Sequence, residues 1–114
     1  MGLLDALLGR GGARGAEAKK RIAEGALLLD VRTPAEFAEG HIDGALNIPV
    51  QVLPQRIDEL GDRSRPIVVY CRSGMRSANA AQILGRAGYT VHDAGGMSNL
   101  IEGTHRGGSC CSSS

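Results

Sequence analysis

The sequence predicts an α/β fold in which a parallel sheet is covered by helices on both faces. Short, continuous apolar runs recur along the chain, and such runs are typical of strands buried on both faces. Between them lie segments whose apolar residues are spaced three and four apart, as on one side of a helix. Strands that alternate with helices form parallel sheets, because each helix crosses one face to reach the start of the next strand.

Four strands and four helices are predicted in chain order. The clearest strand is Ile67-Val68-Val69-Tyr70, which is apolar, largely β-branched and introduced by Pro66. The helix that follows is expected to end at Gly88, because glycine commonly ends helices. The predicted strands cover residues 27–31, 45–48, 67–70 and 91–94, and the predicted helices cover residues 16–23, 34–37, 51–60 and 76–87.

The composition is that of one small domain with an ordinary apolar core. Of the 114 residues, 42% are hydrophobic, and 13 basic residues nearly balance 12 acidic ones for a net charge of +1. This balance argues against nucleic-acid binding, which usually requires a basic excess on one face. No apolar run approaches the roughly 20 residues needed to span a bilayer, so we expect no membrane partner. Three cysteines, an odd number, differ from a secreted disulfide framework and favour a reducing, cytoplasmic location.

The chain divides into a central domain and two flanking segments. Residues 1–15 are apolar and glycine-rich, residues 16–103 carry the predicted strands and helices, and residues 104–114 form a Gly/Ser/Cys tail that we expect to be disordered. The N-terminal segment is interpreted as packing on the domain or as a loose terminus, in preference to a membrane or partner anchor.

The loop after the clearest strand has the chemistry of an anion site. It reads Cys71-Arg72-Ser73-Gly74-Met75-Arg76-Ser77 and lies at the carboxyl end of the sheet, where open α/β sheets bind ligands. Backbone N–H groups of such a turn, the positive end of the next helix and two guanidinium groups all favour a thiolate at Cys71. The alternative is a small core cysteine, but polar and basic neighbours are poor core chemistry. Cys71 is therefore predicted to be a nucleophile.

Three parts of the chain resemble the rhodanese-like domain family. The resemblance is carried by residues 28–37 with 40–45 and 47–49, by residues 68–77, and by residues 95–97. It implies a three-layer fold with a central five-stranded, mainly parallel sheet flanked by helices. It also implies a single-domain thiosulfate sulfurtransferase, in which the Cys71 thiolate takes a sulfane sulfur from thiosulfate or a persulfide donor and passes it to cyanide or a thiol. We expect neither a cofactor nor a metal.

The same loop is expected to bind the substrate, through Arg72, Ser73, Gly74, Met75 and Arg76. The two arginines could contact the anionic end of a donor, although the backbone N–H of Arg76 could matter more than its side chain. One of the hydroxyls of Ser73 and Ser77 is expected to cap the following helix.

Four residues of the first segment are expected to support the loop without taking part in the reaction. We expect Arg32 to pair with Glu36, Asp30 to accept backbone amides, and a buried His41 to bond the backbone.

Two other functions remain open alongside sulfur transfer. Rhodanese-related phosphatases and arsenate reductases place five residues between Cys and Arg, whereas four separate Cys71 from Arg76. A non-catalytic interaction module would commonly lack the cysteine that this chain retains. The expected partners are a small-molecule sulfur donor and acceptor, or a protein that receives the persulfide. Cys110 and Cys111 could relay that sulfur, resolve an oxidised Cys71 or bind a soft metal, or they could be incidental.

Overall fold

The computed structural model describes residues 14–101, and its centre is a parallel sheet with the strand order β2-β1-β3-β4. The strands are β1 (Leu27–Asp30), β2 (Leu46–Asn47), β3 (Ile67–Cys71) and β4 (Val91–Gly96). The helices are α1 (14–23), α2 (Pro34–Glu39), α3 (Met75–Arg86) and α4 (Ser98–Ile101), with a 3-10 helix over Leu53–Leu60. Residues 1–13 and 102–114 lie outside the described residues, and with them Cys110 and Cys111.

The parallel α/β architecture confirms the predicted fold class, with corrections of detail. The sheet has four strands within the described residues, where five were expected. The segment predicted as a helix over 51–60 forms a 3-10 helix with a kink at Arg56, where φ is −117° and ψ is 15°. Strand β2 spans two residues, because Pro49 follows closely and has no N–H to extend the ladder.

Two apolar clusters cover the two faces of the sheet, as predicted. Alternate residues of β3 point to opposite faces: Val69 and Cys71 belong to one cluster, and Val68 and Tyr70 belong to the other. Helix α3 and the 3-10 helix pack on the Cys71 face, while α1 and α4 pack on the Tyr70 face. All five residues of β3 are buried, so the strand that ends in Cys71 is fixed on both sides.

Helix α4 docks onto the sheet through Leu100, whose side chain is buried. Leu100 belongs to the apolar cluster on the Tyr70 face. In residues 14–101, none of the helices has the length and apolar character needed to cross a bilayer.

Candidate active site

Cys71 is the last residue of β3, and the chain turns there into a short loop that leads to α3. The backbone N–H of Gly74 donates to the Cys71 sulfur at 2.8 Å, so the loop folds back over its own cysteine. The Cys71 carbonyl accepts from the N–H of Met97 at 2.7 Å, which ties the strand end to the segment after β4. The cysteine is a free thiol and has no exposed surface.

Helix α3 begins with a glycine cap, and the predicted serine cap is wrong. The N-cap is Gly74 in the left-handed region at φ 104°, and no side chain caps the helix. The hydroxyl of Ser77 instead donates to the Gly74 carbonyl at 3.0 Å and lies 3.5 Å from the Gly95 carbonyl. The first helical backbone bond runs from the Ala78 N–H to the Gly74 carbonyl, so the N–H groups before it are free of the helix ladder.

Glu36 links the first segment to the start of α3. Its carboxylate accepts from the Arg76 guanidinium at 2.7 and 3.1 Å, and it also closes a capping box with Thr33 at the start of α2. The Arg76 hydrogen bonds, and then the Thr33 N–H, lower the pKa of Glu36 to about 2. The same hydrogen bonds raise the pKa of Arg76. Arg72 is more loosely placed, with its guanidinium 3.9 Å from Glu36.

The expected pairing of Arg32 with Glu36 is wrong, because the buried Asp30 takes Arg32 instead. The guanidinium donates to both Asp30 oxygens at 2.7–3.0 Å and to the Gly40 carbonyl at 2.6 Å. Asp30 also accepts the Arg32 backbone N–H at 2.8 Å. Behind this pair the Tyr70 hydroxyl accepts from the N–H of Ile42 at 3.1 Å, and burial raises the pKa of Tyr70. Two buried charges are tolerated because they satisfy each other.

His41 is exposed, so its expected burial is wrong, although its bond to the backbone is present. Its Nδ1 lies 2.8 Å from the Phe37 carbonyl, and its ring stacks on the Phe37 ring at 3.6 Å between centroids. These contacts close the end of α2. They are local to α2 and the turn after it.

An open pocket of about 270 Å³ lies beside the loop. Three of its wall residues were predicted site residues, namely Arg32, Glu36 and Arg72, and three were not, namely Glu39, Gly40 and Met97. Cys71 itself is absent from the wall, but it is joined to Arg72 by the chain and to Met97 by a hydrogen bond. Ser73 and Met75 are exposed, Met75 to 79%, so they lie on the outer surface of the loop.

Thr33 was not among the predicted site residues, although the sequence around it has the pattern of a helix cap. The order Thr33-Pro34-Ala35-Glu36 is the pattern of a capping box, in which the first hydroxyl and the last carboxylate bond each other's backbone. Within residues 14–101, no three His, Cys, Asp or Glu side chains come together in a group that could hold a metal ion.

Glu36→Gln should lower the free energy of unfolding by an amount that depends on pH. The pKa of Glu36 falls from 4.5 to about 2 on folding, so the contribution is complete above pH 4.5 and is lost as the pH falls toward 2. We expect the difference in free energy of unfolding between wild type and variant to follow that course in urea titrations. In a protein that already carries Arg76→Gln, Glu36→Gln should lower the free energy of unfolding by less than it does in the wild type. If wild type and variant differed in free energy of unfolding as much at pH 2 as at pH 7, the stabilising role of the ionised Glu36 carboxylate would be contradicted.

Comparison with known proteins agrees with this geometry. A model of the Rhodanese-like domain matches residues 15–102. A sulfurtransferase of Allochromatium vinosum is 47% identical over 66 residues, which cover 58% of this chain and 61% of that protein. A thiosulfate sulfurtransferase of Escherichia coli is 38% identical over 74 residues, 63% of this chain and 71% of that protein. The chain thus spans under two thirds of the first of these relatives.

A solved structure of a human single-domain sulfurtransferase has the same architecture. It is 31% identical, with a TM-score of 0.67 over 77% of this chain and 92% of that one. The family match extends over most of the described residues, including the ends of β1 and β3 and the loop that follows β3. The chain belongs to the rhodanese-like domain family.

Proposed function

We propose that this chain is a sulfurtransferase that carries a sulfane sulfur as a persulfide on Cys71. The observation that carries the proposal is the loop itself, in which the Gly74 N–H bonds the cysteine sulfur at 2.8 Å at the positive end of α3. Both features stabilise negative charge at that position. The names of the relatives from Allochromatium vinosum and Escherichia coli support the same activity.

In the first half-reaction the donor enters the open pocket beside the loop. The Cys71 thiolate attacks the outer sulfur of thiosulfate, a sulfur–sulfur bond forms on the cysteine, and the bond within thiosulfate breaks. Sulfite leaves with the electron pair, so no other oxidant or reductant is needed. This is nucleophilic catalysis with a covalent intermediate on sulfur.

In the second half-reaction an acceptor removes the sulfur. Cyanide attacks the outer sulfur of the persulfide and leaves as thiocyanate, and the electron pair of the broken bond returns to the Cys71 thiolate. A thiolate acceptor would react in the same way and become a persulfide itself. The cycle requires the free thiol that the structure shows, so we also propose a reducing, cytoplasmic setting.

The short loop favours a sulfur atom over a tetrahedral oxyanion. Four residues lie between Cys71 and Arg76, and the Gly74 N–H already closes onto the sulfur. The Arg76 guanidinium is held by Glu36, which leaves Arg72 as the more loosely held cation of the loop. We therefore assign the anionic end of the donor to Arg72.

Arg72→Ala should raise the KM for thiosulfate about tenfold, the effect of losing roughly 1.4 kcal/mol of binding, with a smaller change in kcat. The side chain is 73% exposed, so its removal should leave the fold unchanged. Arg86→Ala is the matched control, because Arg86 is an exposed arginine in the last turn of α3, at the far end from the loop. An equal rise in KM in both variants would contradict a specific role for Arg72.

The proposed function is tested by thiocyanate production from thiosulfate and cyanide. We expect ping-pong kinetics, because the two substrates react with different forms of the enzyme. Hydrolysis of an aryl phosphate without any thiocyanate production would overturn the proposal and favour a phosphatase.

A further inference from the structure

The pocket beside the loop carries both signs of charge. Its wall includes two arginines, Arg32 and Arg72, and two glutamates, Glu36 and Glu39. A ligand that is only an anion, such as thiosulfate, binds best to cations and N–H groups and is repelled by carboxylates. Binding of thiosulfate therefore does not explain the two glutamates of this wall.

Two of these four charges are paired within the protein. The Arg32 guanidinium donates to both oxygens of the buried Asp30, and the Glu36 carboxylate accepts from Arg76 at 2.7 and 3.1 Å. The field of each paired charge is largely cancelled by its partner at short range. Arg32 and Glu36 therefore shape the wall of the pocket more than they charge it.

The other two charges, Arg72 and Glu39, are available to a ligand. The Arg72 guanidinium lies 3.9 Å from Glu36, beyond hydrogen-bond distance, and its side chain is 73% exposed. Glu39 is the exposed last residue of α2, and within residues 14–101 its carboxylate forms no hydrogen bond or ion pair. The pocket thus offers one cation and one anion, and a ligand that carries both an ammonium and a carboxylate complements it.

The size of the pocket restricts this ligand to a small molecule. Its volume is about 270 Å³, just below the roughly 300–1,000 Å³ of most small-molecule sites. An α-amino acid is small and carries both charges at neutral pH. One that also has a thiol could exchange a sulfane sulfur with Cys71, which the chain joins directly to the pocket residue Arg72.

We propose that Glu39 and Arg72 select an α-amino-acid thiol as the acceptor of the Cys71 sulfur, an inference that rests on the proposed sulfurtransferase function. Glu39 binds the ammonium of the acceptor, and Arg72 binds its carboxylate. The acceptor thiolate attacks the outer sulfur of the persulfide, a new sulfur–sulfur bond forms on the acceptor, and the bond to Cys71 breaks. The electron pair returns to Cys71 as a thiolate, so the step needs no oxidant or reductant.

Glu39→Gln should change the two half-reactions in opposite directions. We expect kcat/KM for thiosulfate to rise about twofold, because a carboxylate that repels the anion is removed. We expect kcat/KM for cysteine as the acceptor to fall about fivefold, because the ammonium loses its partner. General damage to the pocket would lower both values. Glu24→Gln is the matched control, since Glu24 is also exposed but precedes β1 at the opposite end of the sheet.

The test measures sulfite release from thiosulfate with acceptors that differ in charge. Cysteine has both charged groups, cysteamine lacks the carboxylate, and 3-mercaptopropionate lacks the ammonium. Each variant is compared with the wild type on the same acceptor, so that differences in thiol reactivity cancel. Glu39→Gln should lower kcat/KM for cysteine and cysteamine but not for 3-mercaptopropionate. Arg72→Ala should lower it for cysteine and 3-mercaptopropionate but not for cysteamine.

The outcomes separate this inference from the proposed function. An equal effect of Glu39→Gln on all three thiols, no effect on any of them, or the same effect in Glu24→Gln would overturn the role of Glu39. A wild type that turns over with cyanide but not with cysteine would also overturn the inference alone. A wild type that releases no sulfite with cyanide or any thiol would overturn the sulfurtransferase function, and this inference with it.

Discussion

Cys71→Ser is expected to lower kcat/KM for thiosulfate and cyanide by at least about 10⁴-fold, because the loop then has no thiol that can carry the sulfur as a persulfide. Serine is nearly the same size as cysteine, and its hydroxyl can still accept the Gly74 N–H that bonds the sulfur in the wild type. The loop should therefore keep its shape while losing its nucleophile. Thiocyanate production under steady-state conditions measures the loss.

The controls for this substitution address folding and the other cysteines. Cys71 belongs to the apolar cluster under α3, so Cys71→Ala tests whether any loss of fold comes from placing a hydroxyl there. Both variants should unfold at temperatures close to that of the wild type. Activity within tenfold of the wild type in either variant would mean that the sulfur is carried elsewhere in the chain.

Gly96→Ala should reduce kcat/KM about 100-fold, although Gly96 contacts no substrate in the proposed reaction. A Cβ at this position would lie 2.7 Å from the Arg72 carbonyl oxygen and 3.7 Å from the Ser73 carbonyl carbon. These are backbone atoms of the loop, so the loop must shift and displace Cys71, which is paired with Gly96 in the sheet. Overpacking of this kind should also lower the free energy of unfolding by about 1–3 kcal/mol.

Gly85→Ala is the matched control for that substitution. Gly85 lies in α3, and a Cβ there would meet no atom within 4 Å. Alanine is the better helix former, so this variant should gain about 0.5–1 kcal/mol of stability and keep full activity. Equal activity in the two glycine variants would show that close packing of β4 on the loop does not position the cysteine.

The sequence was sufficient to predict the features that depend on neighbouring residues. The apolar, β-branched run before Cys71 predicted a buried strand, and the polar, glycine-containing loop after it predicted a turn into a helix. Both follow from side-chain periodicity and turn chemistry within ten residues of each other. The position of the cysteine at a strand end could therefore be predicted.

Partners across the fold could not be predicted in the same way. Glu36 pairs with Arg76, 40 residues away, and the nearer Arg32 turns to the buried Asp30. Sequence spacing predicts pairs on one helix, but it does not say which charges from separate elements meet. The exposure of His41 depends likewise on how the turn after α2 lies on the surface.

The close contact between β4 and the loop also could not be predicted from the sequence. Residues 95–97 include Gly95 and Gly96, but the requirement for glycine at position 96 comes from its distance to the Arg72 carbonyl, which only the packed strands define. The pocket walls at Glu39 and Met97 also depend on packing, since Glu39 is the last residue of α2 and Met97 follows β4.

The most direct test of the central claim is the intact mass of the Cys110→Ser/Cys111→Ser variant after thiosulfate treatment. In that variant Cys71 is the one remaining cysteine of the chain. We expect a gain of one sulfur atom per chain, which disappears when cyanide is added as thiocyanate forms. The same treatment of a variant that also lacks Cys71 should leave the mass unchanged. No gain of mass with thiosulfate or any other sulfane donor, or a gain that persists without Cys71, would contradict the account.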